Sequence, residues 1–242
     1  MKLDYHSFYK NIISSKWLDG AMHLIYPNNC LVCDNEMARS EQLFCSSCFT
    51  ELHFTYYESF TEPTELDQLF WGRVPLHSTY SMLYYEKTNS SQPLLKALKY
   101  KHRADVGQKL GELLGQKIKL LEKFNSLDAL IPVPIHPKKE FARGYNQSRM
   151  IAEGISNILT IPVNLQFLRR IEHSKSQTTL GRFNRWDNVD GKFEVTGTSN
   201  FKHIAIIDDV ITTGATLESI IMGIQHKFPE IQISVISLAL TK

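Results

Sequence analysis

Apolar positions along the chain change their period several times, and the changes predict strands alternating with helices. Residues 78–85 (Ser-Thr-Tyr-Ser-Met-Leu-Tyr-Tyr) are a short, aromatic-rich run bounded by polar residues, which predicts a strand. From Pro93 to Lys101 the apolar positions Leu94, Leu95 and Leu98 repeat at helical spacing, and Val106 to Phe124 predicts a longer helix by the same rule. Leu130-Ile-Pro-Val-Pro134 predicts a strand with proline at its mouth, Asn146 to Leu159 a helix, and Val163 to Leu168 another strand. His203 to Asp208 and Ile231 to Leu240 predict two more strands, on either side of a helix that starts near Gly214 and turns Leu217, Ile220, Ile221 and Ile224 inward. Such alternation is the pattern of an α/β fold with a parallel sheet flanked by helices.

Two regions lack this rhythm. Residues 1–27 place Phe8, Ile12, Ile13, Trp17, Leu18 and Ile25 among charged and polar positions, which predicts an amphipathic helix ending at Pro27. The segment has no continuous apolar core of the kind a signal peptide carries, so export is not expected. His53 to Pro75 shows no period and contains Pro63 and Gly72, which predicts a linker or hinge. The expected organisation is an N-terminal module over 1–55, a linker over 56–77 and an α/β domain over 78–242.

The 242 residues suffice for one sizeable core and a small annex. A formal charge of +2 offers no whole-protein argument for nucleic acid, and the chain lacks the run of about eighteen apolar residues that a membrane span needs.

All four cysteines fall in one window, as Cys30-x-x-Cys33 and Cys45-x-x-Cys48. Two such knuckles deliver four soft thiolates to one tetrahedral ion, with no open position for water, which points to structural Zn²⁺. An iron–sulfur centre is the rival, and a pair of disulfides would need an oxidising compartment. So small a window cannot bury a core unaided, so metal binding would contribute to its folding. Between the first and last cysteine Arg39 is the lone basic residue, while Leu31, Val32, Leu43 and Phe44 offer apolar surface; protein docking suits this module better than phosphate contact.

The richest chemistry lies in Ile204-Ala-Ile-Ile-Asp-Asp-Val-Ile-Thr-Thr-Gly-Ala-Thr216, where two adjacent acids and a hydroxyl-rich turn stand between a strand and a helix. Ligands of open α/β sheets bind beyond the carboxyl ends of the strands. Thr212, Thr213, Gly214, Ala215 and Thr216 offer backbone N–H groups and the positive end of a helix to a phosphate. Asp208 and Asp209 would repel that phosphate, but they suit ribose hydroxyls and a hard cation such as Mg²⁺. Neither G-x-x-x-x-G-K-[ST] nor G-x-G-x-x-G occurs.

A second strand-to-helix connection, Pro132 to Gln147, is expected as a basic loop. Within it Arg143, Gly144 and Asn146 are candidate diphosphate ligands, with Lys138 and Lys139 nearby. The long polar segment Arg169 to Asn188 carries Arg169, Arg170, Lys175, Arg182 and Arg185 and is long enough for a lid, with Arg182 and Arg185 closing over a departing diphosphate. Phe183 and Trp186 within it suit the alternative of single-stranded DNA.

The acidic motif resembles the 5-phosphoribosyl-1-diphosphate (PRPP) signature of the phosphoribosyltransferases. Together with both knuckles, Leu98-Lys-Tyr-Lys101, Pro132-Val-Pro134, Arg143-Gly-Tyr-Asn-Gln147 and Gln177 to Gly191, it resembles the ComF-type competence proteins over nearly the whole chain. The resemblance implies a bacterial cytoplasmic protein with a zinc ribbon ahead of a type I phosphoribosyltransferase fold, linked to DNA uptake in natural transformation. It implies PRPP and Mg²⁺ as ligands, transfer of the phosphoribosyl group to an unidentified acceptor, and a competence protein as partner. Glu172 and Ser174 depart from the family pattern, and Thr212 stands where some purine phosphoribosyltransferases place an acid. Sensing of PRPP or a nucleotide without turnover is therefore the competing expectation, with a single-stranded DNA accessory role as the third.

Overall fold

A computed structural model describes residues 29–38, 43–86, 91–100, 103–171, 188–189, 192–196 and 200–242. The expected helix over 1–27 and the lid residues Arg182 and Arg185 lie outside the described residues. Internal contacts divide the chain into two compact units, Met1–Leu52 and His53–Lys242.

In the first unit the chain folds around its cysteines. A tight turn follows Cys30, with the Asp34 N–H donating to the Cys30 carbonyl (2.9 Å) and the Cys30 N–H to the Asn35 carbonyl (2.8 Å). Asp34 takes the left-handed conformation this turn requires, at φ 61°. The second knuckle starts a short helix, α1 (Ser46–Thr50), whose N-cap is Cys45.

The second unit is built on a four-stranded parallel sheet: β1 (Ser78–Tyr85), β2 (Ala129–Pro132), β6 (His203–Ile211) and β7 (Gln232–Thr241), in the order β1-β7-β6-β2. Its central strands are almost wholly buried, as a sheet covered on both faces demands. Helices α3 (Ser91–Tyr100), α4 (Ala104–Ile118) and α6 (Gln147–Leu159) form one layer on it: α4 packs on α6, while α6 lies against β2 and β6 and α3 against β1. The α4–α6 approach is close enough to need glycine, since a Cβ on Gly154 would lie 2.0 Å from the Gln108 carbonyl oxygen and one on Gly111 2.2 Å from that of Ile151. Helix α7 (Ala215–Lys227) joins β6 to β7. A small antiparallel sheet of β3 (Leu168–Arg170), β4 (Asn188–Val189) and β5 (Phe193–Val195) packs through β4 and β5 on α7. The α/β class and the parallel sheet flanked by helices are thus as expected. No helix among the described residues is long and apolar enough to cross a membrane.

The structure differs from the sequence expectations in three places. Residues 56–77, expected as a linker, hold a 3-10 turn at Tyr57–Ser59 and helix α2 (Glu65–Phe70), whose Leu66 and Phe70 are buried. A reciprocal capping box starts α2: the Thr64 hydroxyl accepts from the Asp67 N–H (3.2 Å), and the Asp67 carboxylate accepts from the Thr64 N–H (2.7 Å). Ahead of it His53 to Thr55 run antiparallel to β1, with Thr55 N–H to the Met82 carbonyl at 3.0 Å and Tyr84 N–H to the His53 carbonyl at 2.8 Å. Second, the strand expected over Val163 to Leu168 shrinks to one parallel bridge between Val163 and Leu130. Asn164 ends it, because its side-chain oxygen accepts the N–H groups of Gln166 and Phe167, both at 2.9 Å, and turns the chain. Third, the basic loop after β2 contains a helix, α5 (Pro137–Arg143), with Pro137 in its first turn, His136 as N-cap and Gly144 at φ 80° closing it.

Candidate functional site

The cysteine cluster is the simpler of two sites. The ligand atoms of Cys30, Cys33, Cys45 and Cys48 all lie within 4.8 Å of one another. The Cys33 and Cys45 sulfurs are 3.8 Å apart, which is the edge of a tetrahedron with Zn–S bonds of about 2.3 Å. None of the four forms a disulfide. Burial pushes the Cys30 thiol up, but the backbone N–H groups of Cys33, Cys45 and Val32 outweigh it and leave the group lowered to about 7, whereas burial and the neighbouring sulfurs push the Cys48 thiol up, a crowding of charge that a bound cation would relieve. Donor set, spacing and backbone support all fit a closed structural zinc site.

The second site stands at the carboxyl end of β6. The strand runs on to Ile211, three residues beyond the expected end, so both acids remain within it; Asp208 pairs with Ser237 and Val210 with Ala239 of β7. The Asp208 carboxylate accepts from the Ser148 hydroxyl of α6 (3.2 Å) and from the Asp209 N–H (2.9 Å). Burial and the neighbouring charge of Asp209 push its carboxyl up to about 7, while the Asp209 N–H, Ser148 and Lys99 act in the opposite sense. Asp209 forms an ion pair with Lys99 of α3, N to O 3.1 Å. Sequence reasoning assigned no role to Lys99. The fold brings it there: Tyr145, buried, donates its hydroxyl to the Leu98 carbonyl (2.7 Å), so the Leu98-Lys99 and Gly144-Tyr145-Asn146-Gln147 motifs are parts of one assembly.

Beyond β6 the chain turns through Thr212 and Thr213, both exposed, to Gly214, Ala215 and Thr216, where α7 begins. Gly214 is left-handed at φ 73° and serves as N-cap without a capping side chain. Two reasons require glycine there, because a Cβ would also lie 2.9 Å from Cε1 of Phe70. The first N–H groups of α7 lack carbonyl partners within the helix, as at any helix start. The turn therefore presents donors and a positive helix end a few residues from two carboxylates.

On the α5–α6 side, Arg143 donates to the Gln147 side-chain oxygen (2.7 Å), and Gln147, itself buried, leaves its amide nitrogen without a partner among the described residues. Asn146 is occupied by the fold: its amide nitrogen donates to the Val133 carbonyl (3.0 Å) and its oxygen caps α6 by accepting the Arg149 N–H (3.4 Å). The expected lid segment begins at Arg169, but Arg169 and Arg170 belong to β3: Arg169 pairs with Glu194 of β5, and Arg170 lies over the Phe193 ring at 5.3 Å.

Residues 21–60 match the model of the double zinc ribbon domain. Over 207 residues, 83% of this chain and 86% of the relative, the chain is 25% identical to competence protein F of Haemophilus influenzae. It is 25% identical over 197 residues to the DNA utilization protein YhgH of Escherichia coli O6:H1, covering 79% of this chain and 81% of the relative. The YhgH protein of Salmonella typhi is 27% identical over 130 residues, 52% of this chain and 57% of its own. The matches to competence protein F and to the Escherichia coli protein extend well past the ribbon and into the α/β unit, and on that ground the chain is a homologue of competence protein F and YhgH with a zinc ribbon at its head.

Proposed function

We propose that the chain binds PRPP with Mg²⁺ at the end of β6 and transfers its phosphoribosyl group, in the service of DNA uptake. The observation that carries this reading is the continuity of Asp208, Asp209 and the Thr212–Thr216 turn from a buried parallel strand into a helix N-terminus. In this reading Thr212, Thr213, Gly214, Ala215 and Thr216 hold the 5′-phosphate. Asp208 and Asp209 take the ribose hydroxyls, and Arg143 faces the diphosphate, while Gly144, whose N–H donates to the Glu140 carbonyl (2.7 Å), and Asn146 hold that loop in place. Mg²⁺ would neutralise charge on the diphosphate as it leaves, and the two carboxylates are hard oxygen donors of the kind it accepts. The protein's own contribution is positioning and charge stabilisation at the anomeric carbon, without a side-chain nucleophile. The role in DNA uptake is drawn from the similarity to competence protein F and to the DNA utilization protein YhgH.

Replacing both acids, Asp208→Asn with Asp209→Asn, is expected to remove PRPP binding in calorimetry with Mg²⁺ while the circular dichroism of the protein stays native. Unchanged affinity would end the assignment. A second reading, sensing without turnover, is favoured by Thr212, which puts no acid in the phosphate turn. Diphosphate release from PRPP across nucleobases, amines and ammonia separates the two, since binding without release selects the sensor.

A further inference from the structure

The phosphate turn does not hold its shape alone. Arg73, just after α2, reaches it with three groups of its guanidinium: Nη1 donates to the Thr213 carbonyl (2.9 Å) and the Leu69 carbonyl (2.9 Å), Nε donates to the Glu218 carboxylate (3.1 Å), and Nη2 pairs with the same carboxylate. The guanidinium lies over the Phe70 ring at 5.8 Å, and that ring is the one packed against Gly214. Side-chain exposures of 30% and 29% for Arg73 and Glu218 place the pair in a partly dry setting, where a forked ion pair is worth more than at the open surface.

From this geometry we propose that Arg73 is a positioning residue for phosphate binding at the Thr212–Thr216 turn. The inference rests on the reading of that turn as the 5′-phosphate site. In a trans peptide the C=O and the next N–H point in opposite directions. Pinning the Thr213 carbonyl from the α2 side therefore aims the Gly214 N–H away from Arg73, toward the mouth of the turn. Glu218 sits in the first turn of α7, and its charge would oppose an incoming phosphate. Arg73 neutralises that charge and keeps the carboxylate on the α2 side of the helix. One arginine thus aims a donor and removes a repulsion without touching the ligand. Lysine cannot do both, because it lacks the planar fork that reaches a carbonyl and a carboxylate together.

The test uses the full, zinc-loaded chain and two probes in calorimetry, ribose 5-phosphate and inorganic diphosphate, with PRPP and Mg²⁺ as reference. Losing a charged hydrogen bond is worth roughly a factor of ten or more in affinity. Arg73→Met and Arg73→Lys should each weaken ribose 5-phosphate by about tenfold or more while diphosphate affinity stays as in the native chain. The double variant Arg73→Met with Glu218→Gln should remain weak, because the carbonyl is still free to rotate. Restoration in that double variant would overturn the carbonyl role, and equal loss for both probes would mark a general structural effect and overturn the proposal. Full native affinity in Arg73→Lys would do the same. A native chain that binds neither PRPP nor ribose 5-phosphate would instead remove the site reading on which the inference stands.

Discussion

The two units of this chain reach a fixed structure by different physical routes. In the unit Met1–Leu52 the buried apolar side chains among the described residues are few, namely Met37, Leu43, Phe44 and Leu52 beside Cys30 and Cys48. In the unit His53–Lys242 the strands β6 and β7 alone bury Ile204, Ile206, Ile207, Val235, Ile236 and Leu238, all of them completely. One unit gathers four sulfurs at a site fit for a metal ion, and the other builds an extended core. The difference means that each should fail to a different insult.

The strongest way to break the comparison is to remove the metal. Chelation, or Cys48→Ser, is expected to unfold the cysteine unit, since binding energy of about 10 kcal/mol or more is what holds such modules. The α/β unit should keep a cooperative melting transition, read by calorimetry alongside zinc content. Loss of both transitions together would show that the units are not independent.

The reverse insult is Gly154→Ala. Its Cβ would lie 2.0 Å from a backbone oxygen that cannot move without shifting α4, so destabilisation of about 3 kcal/mol is expected in denaturant titration. Zinc content should not change.

Asp208 offers a smaller and pH-dependent effect. Its folded pKa of about 7 lies above the ordinary aspartate value of 3.8, so between those limits the native state binds more protons than the unfolded chain. Stability from this group is lost as pH rises through that window, and the cost is complete above it. That span is worth ~4 kcal/mol in full, and because Asp208 is only part-buried solvent screens it, so Asp208→Asn should raise stability by about 2 kcal/mol at pH 8, with the gain vanishing near pH 4. A gain independent of pH would refute the assignment. The least effect belongs to Thr64→Ala, which removes the α2 cap and should cost about 1 kcal/mol, leaving PRPP affinity nearly native.

What could be read in the chain follows from how local each signal is. The β6 strand and α7 were legible because their apolar positions repeat within a few residues, and the cysteine cluster because ligand type and spacing suffice. Helix α2 was not, since its capping box is short and Leu66 and Phe70 become informative only when the sheet buries them. Helix α5 escaped because it buries no residue and so carries no amphipathic stripe. In the candidate site the acids and the turn were visible as one contiguous motif. The Lys99–Asp209 and Arg73–Thr213 contacts join residues far apart in sequence, which no local pattern announces.

The short antiparallel run at His53 to Thr55 has a consequence for how the protein can be cut. β1 is the outermost strand of its sheet, and these residues occupy its otherwise open side through Met82 and Tyr84. A bare strand of this kind templates pairing with other molecules. A fragment beginning after Thr55, trimmed to isolate the larger unit, would expose that flank and gain a tendency to self-associate.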